Sequence, residues 1–238
     1  MHNLRQLSVA IALALKDSTM KSRTVLQALL LTASLGVATS SEANLLTNGS
    51  FELGGFVNQG NDTMSPTAGS TVITGWTVVT DTTAWIDATN PFGLTANNGS
   101  FFLDLTDYQT GAPFAGMSQA IATTPGATYS LSFDLGSSTL FDRPDSITAS
   151  AAGTSQTFTA PTTGGNNDWQ SVSMQFVASS ASTTVLLQGA SGNSYIGLDN
   201  ADVEFVSGPG PVPEPTALAL LCVGLAGVAA SRRRKQQA

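Results

Sequence analysis

Between Asn44 and Val206 the chain carries thirteen acids and a single base, Arg143, with no Lys, no His and no Cys. The only histidine is His2 and the only cysteine is Cys222, both outside this stretch. Ser-His-Asp and Cys-His nucleophile arrangements, a zinc site of the usual ligands and a disulfide framework are therefore excluded from the body. Carboxylates remain, and two facing each other are what glycoside hydrolysis needs. Asp104 with Asp107 and Asp142 with Asp145 are pairs of that kind, but thirteen acids make any one pair uninformative. Aromatics are the other resource, because a ring face packs well on the C–H side of a sugar. Trp85 and Tyr108, with Phe114 beside the latter, are the candidate ligand-binding residues, since turn-rich surroundings give an aromatic less reason to be buried. Trp76 and Trp169 follow turns and start strands, which favours the core for both.

So acidic a body repels phosphate backbones and anionic headgroups, which removes nucleic acid and peripheral membrane binding and leaves neutral glycans and divalent cations. The segment Phe141-Asp-Arg-Pro-Asp145 reads as a turn in which Arg143 pairs with a neighbouring carboxylate. Asn48-Gly-Ser, Asn61-Asp-Thr and Asn98-Gly-Ser fit the glycosylation pattern but read as turns. Cys222 sits inside an apolar run, where a small residue serves packing.

The elements that must position these groups are strands. Tyr129, Leu131, Phe133 and Leu135 alternate with polar residues, as do Val172, Met174 and Phe176, so each segment buries one face. Further strands are expected at 72–79, 101–105, 117–122, 147–151, 183–188 and 195–206, separated by turn signals such as Thr124-Pro125-Gly126. Nine or ten strands without helical periodicity predict an all-β sandwich over residues 44–206, to which the resemblance given below adds a jelly-roll-like form. In the last strand the apolar parity slips near Asp199-Asn200, which predicts a bulge.

The ends have a different composition. Met20-Lys-Ser-Arg23, an apolar stretch from Val25 to Val37 and Ser41-Glu-Ala43 form an N-terminal signal peptide cut between Ala43 and Asn44, with Met20 as the start codon. An uncleaved anchor is the competing reading. At the other end a Gly/Pro linker, 207–215, holds Val212-Pro213-Glu214-Pro215 and precedes residues 216–238, the membrane helix and basic tail. The apolar run from Ala217 to Ala230 would span about 21 Å as a helix, short of the roughly 30 Å hydrocarbon core. Arg232, Arg233, Arg234 and Lys235 follow it and stay with the cytoplasmic leaflet, leaving the body outside. This tail resembles the PEP-CTERM sorting domain of Gram-negative bacteria. The resemblance implies recognition by a membrane transpeptidase of the exosortase type, cutting near Pro213-Glu214-Pro215 after transient anchoring in the inner membrane.

The body resembles the choice-of-anchor C domain and, more distantly, galactose-binding-like jelly rolls that include many carbohydrate-binding modules. The residues that carry this are Asn44 to Glu52, Gly75-Trp76, Asn98 to Asp104, Gly116 to Gln119, Pro125 to Tyr129, Asp168-Trp169 and Gly197 to Asn200. In such jelly rolls an acid of the first strand and one of the last meet around a structural calcium, which implies Glu52 and Asp199 as metal ligands, with Asp104 a weaker third. The alternative is that Glu52 serves the turn at Asn48-Gly49 and Asp199 satisfies the bulge. Ala88 to Ala96 is longer than the corresponding loop of that family. The reading reached is an exported, non-catalytic structural or adhesive protein of the cell envelope or extracellular polysaccharide matrix. A carbohydrate-binding module and a glycoside hydrolase are the rival functions.

Overall fold

The computed structural model describes residues 43–141, 144–160 and 167–209, all within one compact unit. Residues 1–42, where the signal peptide is expected, the Pro-Glu-Pro segment, the basic tail, Asp142 and Arg143 lie outside the described residues. The strands are β1 (Thr63–Met64), β2 (Thr77–Val79), β3 (Ala84–Asp87), β4 (Phe101–Asp104), β5 (Gly116–Ala122), β6 (Thr128–Ser137), β7 (Ser146–Ala151), β8 (Thr154–Thr159), β9 (Asp168–Val177), β10 (Ser182–Ser191) and β11 (Gly197–Ser207). Among the described residues no helix is long and apolar enough to cross a membrane.

The strands form two antiparallel sheets, one of six in the order β1-β3-β4-β11-β6-β9 and one of five in the order β2-β5-β10-β7-β8. This is the expected jelly-roll-like β-sandwich. Alternation builds its core: Leu131, Phe133 and Leu135 of β6, Met174 and Phe176 of β9, Met117 and Ile121 of β5, and Val185 and Leu187 of β10 all bury against one another. The expected bulge appears as a register shift between Asp199 and Asp202 against β6, and Asn200 takes a positive φ of 50°.

Three strands escaped the sequence. In β3 the residues Ala84, Trp85 and Ile86 are buried on both faces, so no alternation marks them. In β8 a single apolar side chain, Phe158, leaves no pattern, and β1 has two residues. The strand expected from Val72 shrinks to Thr77–Val79 because Trp76 N–H donates to the Ile73 carbonyl, closing a turn at Gly75 with φ +84°.

A second, smaller core lies on the opposite face of the six-stranded sheet. Ala84, Ile86, Leu94, Phe102 and Tyr195 form it, with Phe92, Tyr108 and Trp169 packed against it. Ile86 and Phe102 belong to the face of β3 and β4 opposite Trp85 and Leu103. Leu94 comes from the long segment between β3 and β4 noted in the sequence. That cover is why β6 is one-sided up to Phe133 and then buried on both sides from Asp134 to Ser137.

Candidate functional site

Two carboxylates that the sequence sets 65 positions apart meet on this covered face. Asp199 and Asp134 are directly opposed in the β11–β6 register, both pointing away from the main core. Asp199 is fully buried. Its Oδ2 accepts from the backbone N–H of Asn97 and of Asn98, each at 2.8 Å, and its Oδ1 from Asn200 N–H at 2.7 Å. Asp134 Oδ2 accepts from Asn97 Nδ2 at 2.5 Å and from Asn200 Nδ2 at 3.1 Å, and its Oδ1 from the Ser171 hydroxyl. Burial pushes the Asp199 carboxyl up to about 7, against the pull of its three amide donors.

Glu52 holds the same loop one step further along. Its Oε1 accepts from Ser100 N–H at 2.9 Å and Phe101 N–H at 2.8 Å, at the entry to β4. Between the two grips lies Gly99, at φ +73°, where a Cβ would come within 2.4 Å of the Glu52 carboxyl. Asp104 works similarly at the exit of β4. It accepts from Thr106 N–H at 2.9 Å, Ile196 N–H at 2.8 Å and Tyr108 N–H at 3.2 Å, and burial pushes its carboxyl up to about 6.

The residues the resemblance implies for calcium thus meet at one loop, but as acceptors of N–H. Glu52 Oε1 and both oxygens of Asp199 are already engaged, whereas calcium takes six to eight oxygen ligands. Among the described residues no group of three or more His, Cys, Asp or Glu could hold a metal ion. As they stand, the residues present do not fit the ion. Glu52 reaches β4 instead of its own turn at Asn48. That turn is held by Asn48 itself, whose side chain bonds Leu53 N–H, Leu53 O and Thr74 O.

The aromatics expected to stack on sugars correct the sequence reading. Trp85 is 1 % exposed, its Nε1 donates to Phe51 O at 3.0 Å, and its ring sits among Phe56 and Phe101. The run Ala-Trp-Ile is buried on both sides, so this ring has no face to offer. Phe114 is 4 % exposed in the main core. Tyr108 is half-buried in the small core, with its ring 5.5 Å from Phe92. Trp76 is buried as expected. Trp169 is half-buried over Gly136, and its Nε1 donates to Thr95 O at 3.0 Å, pinning the long loop.

Asp134, Asn97 and Asn200 were missed by sequence reasoning. Asp134 falls on the polar parity of a predicted strand, and only the register of β6 with β11 reveals its partner. A shallow groove of about 350 Å³ is lined by Thr128, Thr154, Gln175, Phe176 and Val177, and none of these carries a charge.

The family model described as "Protein of unknown function (DUF642)" matches residues 44–196, and the chain belongs to that family. The choice-of-anchor C relation stays a resemblance. A second model, the PEP-CTERM protein-sorting motif, matches residues 211–235, so the chain is an exported protein with a C-terminal membrane anchor. No curated protein matches the chain. Among solved structures it is similar to TmCBM61 in complex with beta-1,4-galactotriose, at 16 % identity and a TM-score of 0.42, covering 69 % of this chain and 99 % of that one. It is also similar to a structure described as CBM4, at 18 % identity, a TM-score of 0.41 and coverage of 68 % and 99 %. A third is the Arthrobacter globiformis T6 isomalto-dextranase complexed with panose, at 13 % identity, a TM-score of 0.41 and coverage of 61 % and 24 %. These are likenesses of fold and carry no ligand over to this chain.

Proposed function

We propose that this DUF642 protein is a non-catalytic structural or adhesive module, exported, held briefly by its C-terminal segment, and delivered by an exosortase-type enzyme to the cell envelope or its polysaccharide matrix. One observation supports the role more than any other. Glu52, Asp104, Asp134 and Asp199, acids set along β4, β6 and β11 and their loops, are spent on backbone and side-chain donors of the fold. Groups consumed in this way position loops rather than transfer protons, since a general acid or base must reach the proton it moves.

A second reading, binding of a neutral glycan, is supported by the outer face of the five-stranded sheet. Thr148, Ser150, Thr157 and Thr184 alternate there with core residues, and Thr148 and Thr157 share a hydroxyl bond of 2.8 Å. Hydroxyls and amides without charge match a neutral polysaccharide by hydrogen bonding, in place of ring stacking. Retention on neutral-polysaccharide gels that weakens on Thr148→Ala with Thr184→Ala would favour this reading over a purely structural one.

The delivery step is tested by mass spectrometry of the C-terminus in fractionated cells with and without the processing enzyme. The expected outcome is a chain ending within Val212 to Thr216 in the presence of the enzyme and an inner-membrane chain ending at Ala238 without it. An untrimmed cytoplasmic chain in both strains would overturn the proposal.

A further inference from the structure

The two ends of the sandwich differ in charge. Asp104 closes β4 and Asp168 opens β9, and the register through Gly197 and Gly136 sets them at the same end. Asp81 follows β2, Asp107 follows β4 and Asp145 precedes β7 at that end too. At the opposite end three connections, 123–127, 152–153 and 178–181, and the chain exit, 205–209, contain no Asp, Glu, Lys or Arg. Backbone bonds tie two of these connections together, Gly126 N–H donating to Ala178 O at 2.8 Å and Thr123 N–H to Ala181 O at 3.0 Å. The first carboxylate met from the exit is Glu204 of β11.

The uncharged end also exposes apolar side chains. Of the seven large hydrophobic side chains exposed among the described residues, Val177, Phe205 and Val206 are gathered here, because Val177 opposes Thr128 and Thr128 opposes Ser207. None of the seven lies on a strand of the five-stranded sheet. The chain leaves the body at the same place. Pro209 packs beside Gly126, where a Cβ would meet its ring at 3.4 Å. Residues 210–216 then separate it from the apolar run Ala217 to Ala230 within the matched sorting motif. Seven residues reach at most about 25 Å when fully extended. The ten residues of β9 alone span roughly 33 Å, so the tether is shorter than the body it holds.

We propose that this end is a membrane-facing surface: while the tail is anchored, Val177, Phe205 and Val206 rest in the headgroup layer of the bilayer and the acidic end points away from it. Charge sets the orientation. Anionic headgroups repel carboxylates, and their field falls off within a Debye length of about 8 Å at physiological salt. With the uncharged end down, Asp168 stands several Debye lengths out, at the far end of β9. With the six-stranded sheet down, its carboxylates from Asp87 to Glu204 would enter the field. The strands of the five-stranded sheet carry no charge, but they offer the interface hydroxyls and amides with no exposed apolar side chain. Three apolar side chains are too few to hold a protein on a bilayer, so the short tether supplies the local concentration and the contact ends when the tail is cut. This rests on the anchoring by the tail and not on whether the body is structural or binds glycan.

The test places the full chain, with Cys222→Ser, in vesicles of phosphatidylethanolamine and phosphatidylglycerol at about three to one, some headgroups carrying a nitroxide quencher. A fluorophore is attached through Ser179→Cys at the uncharged end or Thr110→Cys at the acidic end, both exposed positions. Flotation with the vesicles reads the anchoring separately. Quenching at 179 should exceed quenching at 110 by at least ~3-fold, as expected for one end in the interface and the other in water. Val177→Glu with Val206→Glu, on two exposed side chains, should bring quenching at 179 down to the level at 110 while the unfolding midpoint stays unchanged. A chain that does not float would overturn the anchoring and the proposal together. A floating chain quenched equally at both positions, quenching at 179 that the glutamates leave intact, or a difference that vanishes when each vesicle holds a single chain would overturn the membrane-facing surface alone.

Discussion

At the scale of single residues the recurring device is a carboxylate that gathers backbone amides. Asp199 takes those of Asn97, Asn98 and Asn200, Glu52 those of Ser100 and Phe101, and Asp104 those of Thr106, Tyr108 and Ile196. Burial makes this costly for two of them. It raises Asp104 to about 6 and Asp199 to about 7, so the folded chain keeps protons that the unfolded chain releases near pH 4. With folded values above unfolded ones, the contribution of both groups is fully present below about pH 4 and is lost as pH rises through 6 and 7. Thermal unfolding should therefore show a midpoint a few degrees lower at pH 8 than at pH 5, and Asp199→Asn should flatten that fall. A midpoint that rises over the same interval would contradict the assignment. The acidic residues were legible in the sequence as acids and as a pair near the first and last strands. That they accept amides was not, because hydrogen-bond partners some fifty to a hundred positions away are set by strand register.

At the scale of elements the segment between β3 and β4 decides what the six-stranded sheet presents. Its Leu94 is buried with Ile86, Phe102 and Tyr195, and Asn167 and Trp169 each donate to Thr95 O. The length of this segment was visible in the sequence, but its docking was not, since one leucine and one phenylalanine in a polar stretch give no period. Leu94→Ala should cost about 2–5 kcal/mol at that site, as buried leucines do. The loss should appear first as faster amide exchange at 97–101, where the Asp199 and Glu52 grips lie, with β5, β7 and β10 still protected. Uniform loss of protection over both sheets would mean that the small core does not open separately. Strands with a single buried face, such as β9 and β10, were read correctly from alternation. β3 and β8 were missed for opposite reasons, one apolar throughout and the other polar almost throughout.

At the scale of the whole molecule the charge is large, of one sign, and unevenly placed. Thirteen acids against Arg143 make the body repel itself, and all of the strand carboxylates lie on one sheet. Screening should relieve that repulsion, so raising salt from about 10 mM to about 150 mM, where the Debye length falls from roughly 30 Å to about 8 Å, should raise the unfolding midpoint. A midpoint indifferent to salt would show the carboxylates already compensated within the fold. The C-terminal end belongs to this scale too, since the Pro-Glu-Pro tail is a signal complete within a few tens of residues. The sequence by itself determined that the chain is exported and tail-sorted, that its body is an all-β sandwich, and that it holds no histidine or cysteine chemistry. All of these follow from local composition and from the two-residue period of a half-buried strand. Tertiary structure alone decided that Trp85 is core, that the acids hold loops, and that charge segregates by sheet, because each depends on which distant strands lie side by side.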